Sequence, residues 1–505
     1  MKQLLFDKEV FEKLLVGLDE TANAISGTLG PKGRNVMIDD SILPHITNDG
    51  STIAGSISYL DKFKNLGSWV VRNTSAQTND DAGDGTTTTA VLLQEIIHQS
   101  LKRPENPMEI KNSLQESCRN IILKLKESSK SIDIDEVKKV ALISSENEEI
   151  AEIVTDIIKK VGADGVIVVE ESKTFETSSE VQNGYEANVG FVSPHFANDS
   201  TGTKAEYDNV LVLVAQKKIS TVLDIKPLFD QMDKAAKREI VVVCEEIDPS
   251  ILGLLVVNKI NGLLNIVVIK TSGTNLDDIA ATVGATVISD SNGIGFDKLD
   301  ISQHLGHADK VICTEKRTLF VAKTEQGEHL ANRLKAETSI SNNQYEKEML
   351  LKRVAKLTGG IAVIKIGAAT DLERVYKKHK TDDTVAAVKA ALQEGVVEGG
   401  GMAFWKIAQE LDEDTIGNAI LKKSLIKPLK KICENAGKDY TEIVRKMPEG
   451  MGYDAKNDKY VDMIKADIID PTKVERVSLE NAVTNAAVFI TTHCAIVDDL
   501  TKETK

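Results

Sequence analysis

The segment Gly83-Asp84-Gly85-Thr86-Thr87-Thr88-Thr89 holds the residue types an anion site needs, and it stands directly before an amphipathic run carrying Val91, Leu92, Ile96 and Ile97. Glycines let the backbone approach a bound oxyanion closely, and the free amides of a helix start point toward it. The threonine hydroxyls add donors, and Asp84 offers the hard oxygen that Mg2+ prefers. No Gly-Lys-Ser/Thr ends the segment, so it is not the common lysine-bearing phosphate loop. A helix N-cap with a glycine turn explains the same residues. Local chemistry leaves both readings open.

Other segments carry weaker signals. Thr28-Leu29-Gly30-Pro31-Lys32-Gly33-Arg34 joins turn residues to basic side chains after a helical run, and it also reads as a helix end with its turn. Asn48-Asp49-Gly50 is a turn signal. Asp383 is expected at the start of a helix, where acidic residues complement the dipole. Gly399-Gly400-Gly401 reads as a flexible break after that helix, and Asp470-Pro471-Thr472 as a turn or a helix start.

The elements that must position these residues follow from the periodicity. The first ~130 residues are mainly helical, with Val10, Leu14, Leu18, Ala22 and Ile25 at helical spacing. Short apolar runs at 165–169, 210–215, 240–244 and 265–269 alternate with helical stretches, the pattern of an α/β layer. From Asp383 onward the chain reads as helical again, so an α/β block lies between two mainly helical ones. The last five residues read as a frayed tail. At 505 residues the chain is too long for one core, and roughly three domains are expected.

A net charge of -15 disfavours nucleic acid and anionic membranes as partners. Aromatic residues make up only 4%, which argues against large stacking surfaces. The first residues meet charge too early for a secretory leader, and no stretch approaches the ~18 apolar residues that span a bilayer. The 5 cysteines are widely spaced, without metal or disulfide patterning. They read as small buried hydrophobes in a reducing, cytoplasmic setting. The basic stretch 422–431 reads as a solvated helix face.

Taken together and in order, these segments resemble the group I chaperonins, the GroEL-like family. The resemblance rests on Thr28 to Val36, Asp49-Gly50, Asp84 to Thr88, Val363 to Thr370, Glu394 to Val397 with Gly399 to Gly401, and Asp470 to Val474. It implies a multidomain α and α/β chaperonin fold. A mainly helical equatorial domain (1–127 and 394–505) would bind ATP, and a small intermediate hinge domain (128–184 and 362–393) would link it to an α/β apical domain (185–361). It also implies an ATP-hydrolysing subunit of a homo-oligomeric ring that captures unfolded or partly folded polypeptides, with a small co-chaperonin lid as a further partner.

Carried over, Thr28, Leu29, Gly30, Pro31 and Asp84, Gly85, Thr86, Thr87, Thr88 would hold the phosphates, with Asn48 beside them. Asp84 would bind Mg2+, Asp49 and Asp383 would act on the attacking water, and Gly400 would contact the nucleotide. Asp454, Ala455 and Lys456 would meet the base, and Asp470 the ribose. The apical binding residues would be Phe191, Phe196, Leu228, Phe229, Leu252, Val256 and Val257.

Several positions depart from the family pattern. Asn48 stands where a lysine is usual, Asp454 and Lys456 where asparagine and alanine are usual, and Lys438 near a usual glutamate. Lys226 occupies an apical position that is normally apolar, and a charge there weakens capture of apolar segments. The stretch Lys270 to Leu276 lacks the usual Pro-Gly-Phe-Gly. These departures support an alternative, a diverged chaperonin paralogue that binds partners with little or no ATPase folding cycle.

Overall fold

Apolar residues from both ends of the chain close one core. Val10, Leu14, Leu18, Leu92 and Ile96 from the first helices pack with Phe404, Ile420, Leu479, Ala482 and Ala486 from the last. The strand Lys2–Phe6 also pairs antiparallel with Cys494–Asp498. The two helical blocks, which the sequence alone did not tie together, therefore form one body. The computed structural model describes residues 2–498 except 40–43, 163–164, 173, 183, 200–201, 236–237, 323, 341–343 and 359–360. The C-terminal tail expected to fray lies outside the described residues.

The chain divides into two compact units, the first made of Met1–Ala163, Val169–Ser178 and Lys365–Lys505, the second of Asp164–Val168 and Ser179–Ile364. Residues expected to form a hinge are thus shared out between the units. The first unit is built on long helices, chiefly Asp7–Ser26, Lys62–Ala82, Thr86–Leu101, Pro107–Ser128, Asp371–Glu394 and Thr472–Ile490. Close approaches explain two of its glycines. A Cβ on Gly17 would meet the Lys64 carbonyl oxygen at 1.8 Å, and one on Gly67 would meet that of Leu14 at 1.8 Å. The helices Asp7–Ser26 and Lys62–Ala82 therefore pack backbone to backbone.

The second unit is built on a 6-stranded sheet in the order Gly184–Ala187, Thr318–Val321, Gly306–Thr314, Lys204–Ile219, Glu239–Ile247, Asn265–Lys270. The last three run parallel, with Leu211 opposite Ile240 and Ile240 opposite Ile266. Their near-continuous Val/Ile runs are buried on both faces, as parallel crossover strands require. The crossovers are the helices Val222–Lys234 and Pro249–Ile260, the second opened by Pro249 after an Asp248 N-cap. The α/β block is therefore as the sequence indicated.

Three local expectations change. Asp383 does not open a helix: the helix runs Asp371–Glu394 from a Thr370 N-cap, and Asp383 sits in its middle. The charged run through Lys377-Lys378-His379-Lys380 hides that helix from an apolar periodicity count. Asn48-Asp49-Gly50 is not a free turn, because Asp49 caps the helix Gly50–Ser56. The glycines 399–401 do not follow the helix directly. It ends at Gly395, the strand Val396–Glu398 intervenes, and Gly401 opens the helix Met402–Glu410. In the basic stretch, Lys422 bonds the Leu411 carbonyl at 2.8 Å and Lys427 pairs with Glu95 at 3.0 Å. No helix among the described residues is long and apolar enough to cross a membrane.

Candidate functional site

The helix Lys62–Ala82 stops at Gly83 (φ 73°), and Gly85 (φ 86°) opens the helix Thr86–Leu101. Left-handed φ at both positions turns the chain back sharply, which glycine alone does at little cost. No side chain caps this second helix, so its first amides are left for a ligand. The segment is therefore a helix start, and an uncapped one.

The Thr28 turn is brought against this start. Thr28 Oγ1 donates to the Ile25 carbonyl at 2.8 Å and lies 3.3 Å from Thr87 Oγ1. Gly30 (φ 83°) closes the turn, its carbonyl accepting the Gly33 amide at 2.9 Å. Gly50 is a close approach from a third side, since a Cβ there would lie 2.6 Å from Thr86 Oγ1 and 2.8 Å from Thr87 Oγ1. One position earlier, the Asp49 carboxylate accepts from the Ser51 amide (3.2 Å), the Thr52 amide (2.8 Å) and both hydroxyls (2.8 and 2.5 Å). That saturation fixes its direction.

Asp470 lies in the strand Ile469–Pro471, opposite Val397, and its carboxylate accepts the Gly400 amide at 3.0 Å. Asp454 ends the strand Gly452–Asp454 and folds back on its own turn, accepting from the amides of Lys456 (3.0 Å) and Asn457 (3.1 Å). Lys438 is tied to the same hairpin through Asp458, which also accepts from the Tyr453 hydroxyl at 2.9 Å.

Thr28 to Pro31, Asn48, Asp49, Asp84 to Thr88, Asp383, Gly400, Asp454 to Lys456 and Asp470 all line one cavity of about 1040 Å³. It also takes in residues that sequence reasoning missed: Glu475, Lys380, Tyr376 and Glu146. Glu475 had a readable signal, since it falls in the first turn of the helix that follows Asp470. Lys380 was hidden by its charged surroundings.

The electrostatics are one-sided. Burial, helped by Asp49, raises the Asp84 carboxyl above its ordinary value, against the Gly85 amide 2.6 Å away and Lys380. Burial together with Asp84 and Asp49 pushes Asp383 well above the usual carboxylate range. Asp470 is raised to about 6 by burial and Asp84, with the Gly400 amide opposing. Glu475 goes well above its ordinary value through burial, Asp470 and Asp84, and its Oε2 is buried with no hydrogen-bond partner among the described residues.

A pocket of crowded carboxylates is stabilised by a cation. Among the described residues no group of three or more Asp, Glu, His or Cys side chains converges as a ready metal cage. Mg2+ does not need one, because it commonly takes one or two carboxylates and completes its shell with water and phosphate oxygens. The half-buried, repelled Asp84 beside an uncapped helix start fits that demand. The arrangement can hold an extended anion with its charge-neutralising cation, and Asp383 is in the same lining.

The second unit revises the expected binding face. Phe196 (0% exposed), Leu228 (1%) and Phe191 (7%) belong to the core and cannot present an open apolar surface. Phe229, Leu252 and Val256 are partly buried against the same core, and Val257 is exposed. Exposed neighbours that sequence reasoning missed are Leu223, Leu254 and Ile260. Lys226 is exposed and pairs with Asp230 one turn on, at 3.1 Å.

Two substitutions separate core from surface. Leu228→Ala is expected to lower stability to urea by about 2–5 kcal/mol, the cost of an unfilled core site. Val257→Ala should stay within about 0.5 kcal/mol. Equal losses at both positions would contradict this division.

Residues 21–499 match the model of the TCP-1/cpn60 chaperonin family. Two crystal structures of the chaperonin gp146 from the bacteriophage EL 2 (Pseudomonas aeruginosa), both obtained in the presence of ATP-BeFx, share the fold. One aligns with a TM-score of 0.67 at 20% identity, over 98% of this chain and 99% of that one. The other aligns with a TM-score of 0.63 at 21% identity, over 98% and 99%. With a family match that runs through nearly all of the chain and a chaperonin fold, this protein belongs to the TCP-1/cpn60 chaperonin family.

Proposed function

We propose that this chain is an ATP-hydrolysing chaperonin subunit that captures non-native polypeptides and works in a homo-oligomeric ring. The observation that carries the reading is the single cavity of about 1040 Å³, lined by every residue the family resemblance assigns to nucleotide. The likeness to gp146, crystallised in the presence of ATP-BeFx, agrees with it.

In this reading the Thr28 turn and the start of the Thr86–Leu101 helix hold the phosphates, and Asp470 takes the ribose. Mg2+, held by Asp84, would neutralise charge on the phosphate oxygens. Asp49, held by its cap bonds, helps place the attacking water. Asp383, a carboxylate made more basic by burial, accepts a hydrogen bond from that water and takes its proton as it attacks. Residues 1–127 with 394–505 form the nucleotide-binding domain, 128–184 with 362–393 the hinge, and 185–361 the polypeptide-binding domain. A co-chaperonin lid would dock on the last, and a reducing, cytoplasmic setting fits the free cysteines.

A second reading has one specific observation in its favour. Lys226 places a charge among the exposed apolar residues of the helix Val222–Lys234, which suits a selective binding protein better than a general folding machine. Light scattering on the purified chain, with and without Mg-ATP, tests the two. A ring-sized particle that suppresses aggregation of a denatured client and releases it with Mg-ATP supports the first. Small oligomers indifferent to nucleotide support the second.

A further inference from the structure

Lys380 lines the cavity and has no role in the scheme above. The cavity also has Lys138, Lys139 and Lys456 in its lining. Lys138 is bound to Glu152 at 2.8 Å and Lys139 to Asp467 at 3.1 Å, and Lys456 is exposed. Lys380 differs from all three. Its side chain is only 15% exposed. Tyr376, Lys380 and Asp383 recur at helical spacing along Asp371–Glu394, so one face of that helix presents all three to the cavity.

The ammonium is held loosely. It lies 3.5 Å from the Ser144 carbonyl and 3.5 Å from Glu146 Oε1, at the C-terminal end of the helix Val137–Ser145. A cation is favoured there by the helix dipole. Burial pulls its pKa down, yet Glu146, Tyr376, Asp383 and Asp84 more than offset this and keep it above the ordinary lysine value. It therefore stays charged in a buried place, facing two carboxylates that no short bond ties to it.

We propose that Lys380 is the cation that engages the terminal phosphate of the bound nucleotide, and that the end of the Val137–Ser145 helix with Glu146 holds it until that phosphate arrives. The proposal rests on the nucleotide-hydrolysing reading of the cavity and adds a residue to it. The geometry selects the terminal phosphate because Lys380 lies one helical turn from Asp383, the group that faces the water attacking that phosphorus. A flexible ammonium at this point stabilises charge on the transferring phosphoryl oxygens. Moving from Glu146 to phosphate, it would also report the state of the nucleotide to the Val137–Ser145 helix.

Calorimetric titration of the full chain with Mg-ADP and with a non-hydrolysable Mg-ATP analogue tests this. Lys380→Gln should weaken the analogue by about 10- to 100-fold, the loss of a charge-assisted bond, and change ADP by less than about 3-fold. Lys380→Arg should keep the wild-type ratio. A Lys380→Gln protein that keeps the wild-type ratio, or loses both ligands equally, overturns the proposal. Should that variant not fold, Glu146→Gln carries the test: a released ammonium raises affinity for the analogue and not for ADP, and an unchanged ratio overturns it. Wild-type protein that binds neither ligand would instead sink the nucleotide reading itself.

Discussion

Replacing Asp383 by asparagine is expected to lower kcat for ATP hydrolysis by about 100- to 10,000-fold, the range of a lost general base, while Mg-nucleotide affinity is kept or improved. The asymmetry follows from the local charge. Asp383 is half-buried and repelled by Asp84 and Asp49, with Lys380 opposing, and its ionised form is disfavoured. Asparagine keeps the shape and removes that repulsion, so it cannot weaken binding through charge. What it loses is the capacity to draw a proton from water. The wild-type rate should also fall as pH drops through the raised Asp383 pKa, and this limb should vanish in Asp383→Asn. Pre-steady-state phosphate release beside nucleotide titration measures both effects. A variant with weakened binding and an unchanged single-turnover rate would place Asp383 in ground-state binding instead.

Glu475→Gln should stabilise the nucleotide-free protein at pH 7.5, by about 1–3 kcal/mol, and should do little near pH 4. Glu475 and its neighbour Asp470 are both raised, Asp470 to about 6 and Glu475 well above its ordinary value. A carboxyl whose folded pKa exceeds its unfolded one binds its proton more tightly when folded. Its stabilising contribution is present in full below the unfolded pKa, and it is lost as pH rises through the folded one. The pair therefore penalises the free protein in the window from about 4 to beyond 6. Glutamine reproduces the protonated shape and its donor toward Asp470 without that penalty. Thermal midpoints at the two pH values, without nucleotide or divalent ion, give the answer. An unchanged or lower midpoint at pH 7.5 would mean that the Glu475 carboxylate is satisfied by contacts the described geometry does not contain.

The glycine turns and the helix start that line the cavity were legible because they are local. Gly83, Gly85 and the threonines announce a turn into a helix, and Gly30 announces the facing turn. Whether they meet is a tertiary matter, settled by close approaches such as Gly50 against Thr86 and Thr87. Asp383 was singled out in the sequence and lines the cavity, but it was misplaced in its helix, because the first half of that helix is charged and shows no apolar stripe. Glu475 and Lys380 escaped for a related reason, as what sets them apart is their tertiary setting beside Asp470, Asp84 and Asp383.

The expected binding face of the second unit shows the opposite error. Leu228 and Phe196 have the right residue type for an exposed groove, yet the sheet beneath them claims both for its core. Periodicity identifies an amphipathic helix, but it does not say which apolar residues remain after the core is filled. Leu223 and Ile260 are such remainders. The strands of the second unit were readable because continuous Val/Ile runs have few other uses.

Steady-state phosphate release from Mg-ATP by the purified full-length chain tests the central claim most directly. Saturable, Mg2+-dependent turnover that Asp383→Asn removes is expected. Absence of turnover in the wild-type protein, together with no calorimetric binding of Mg-ATP, would contradict it.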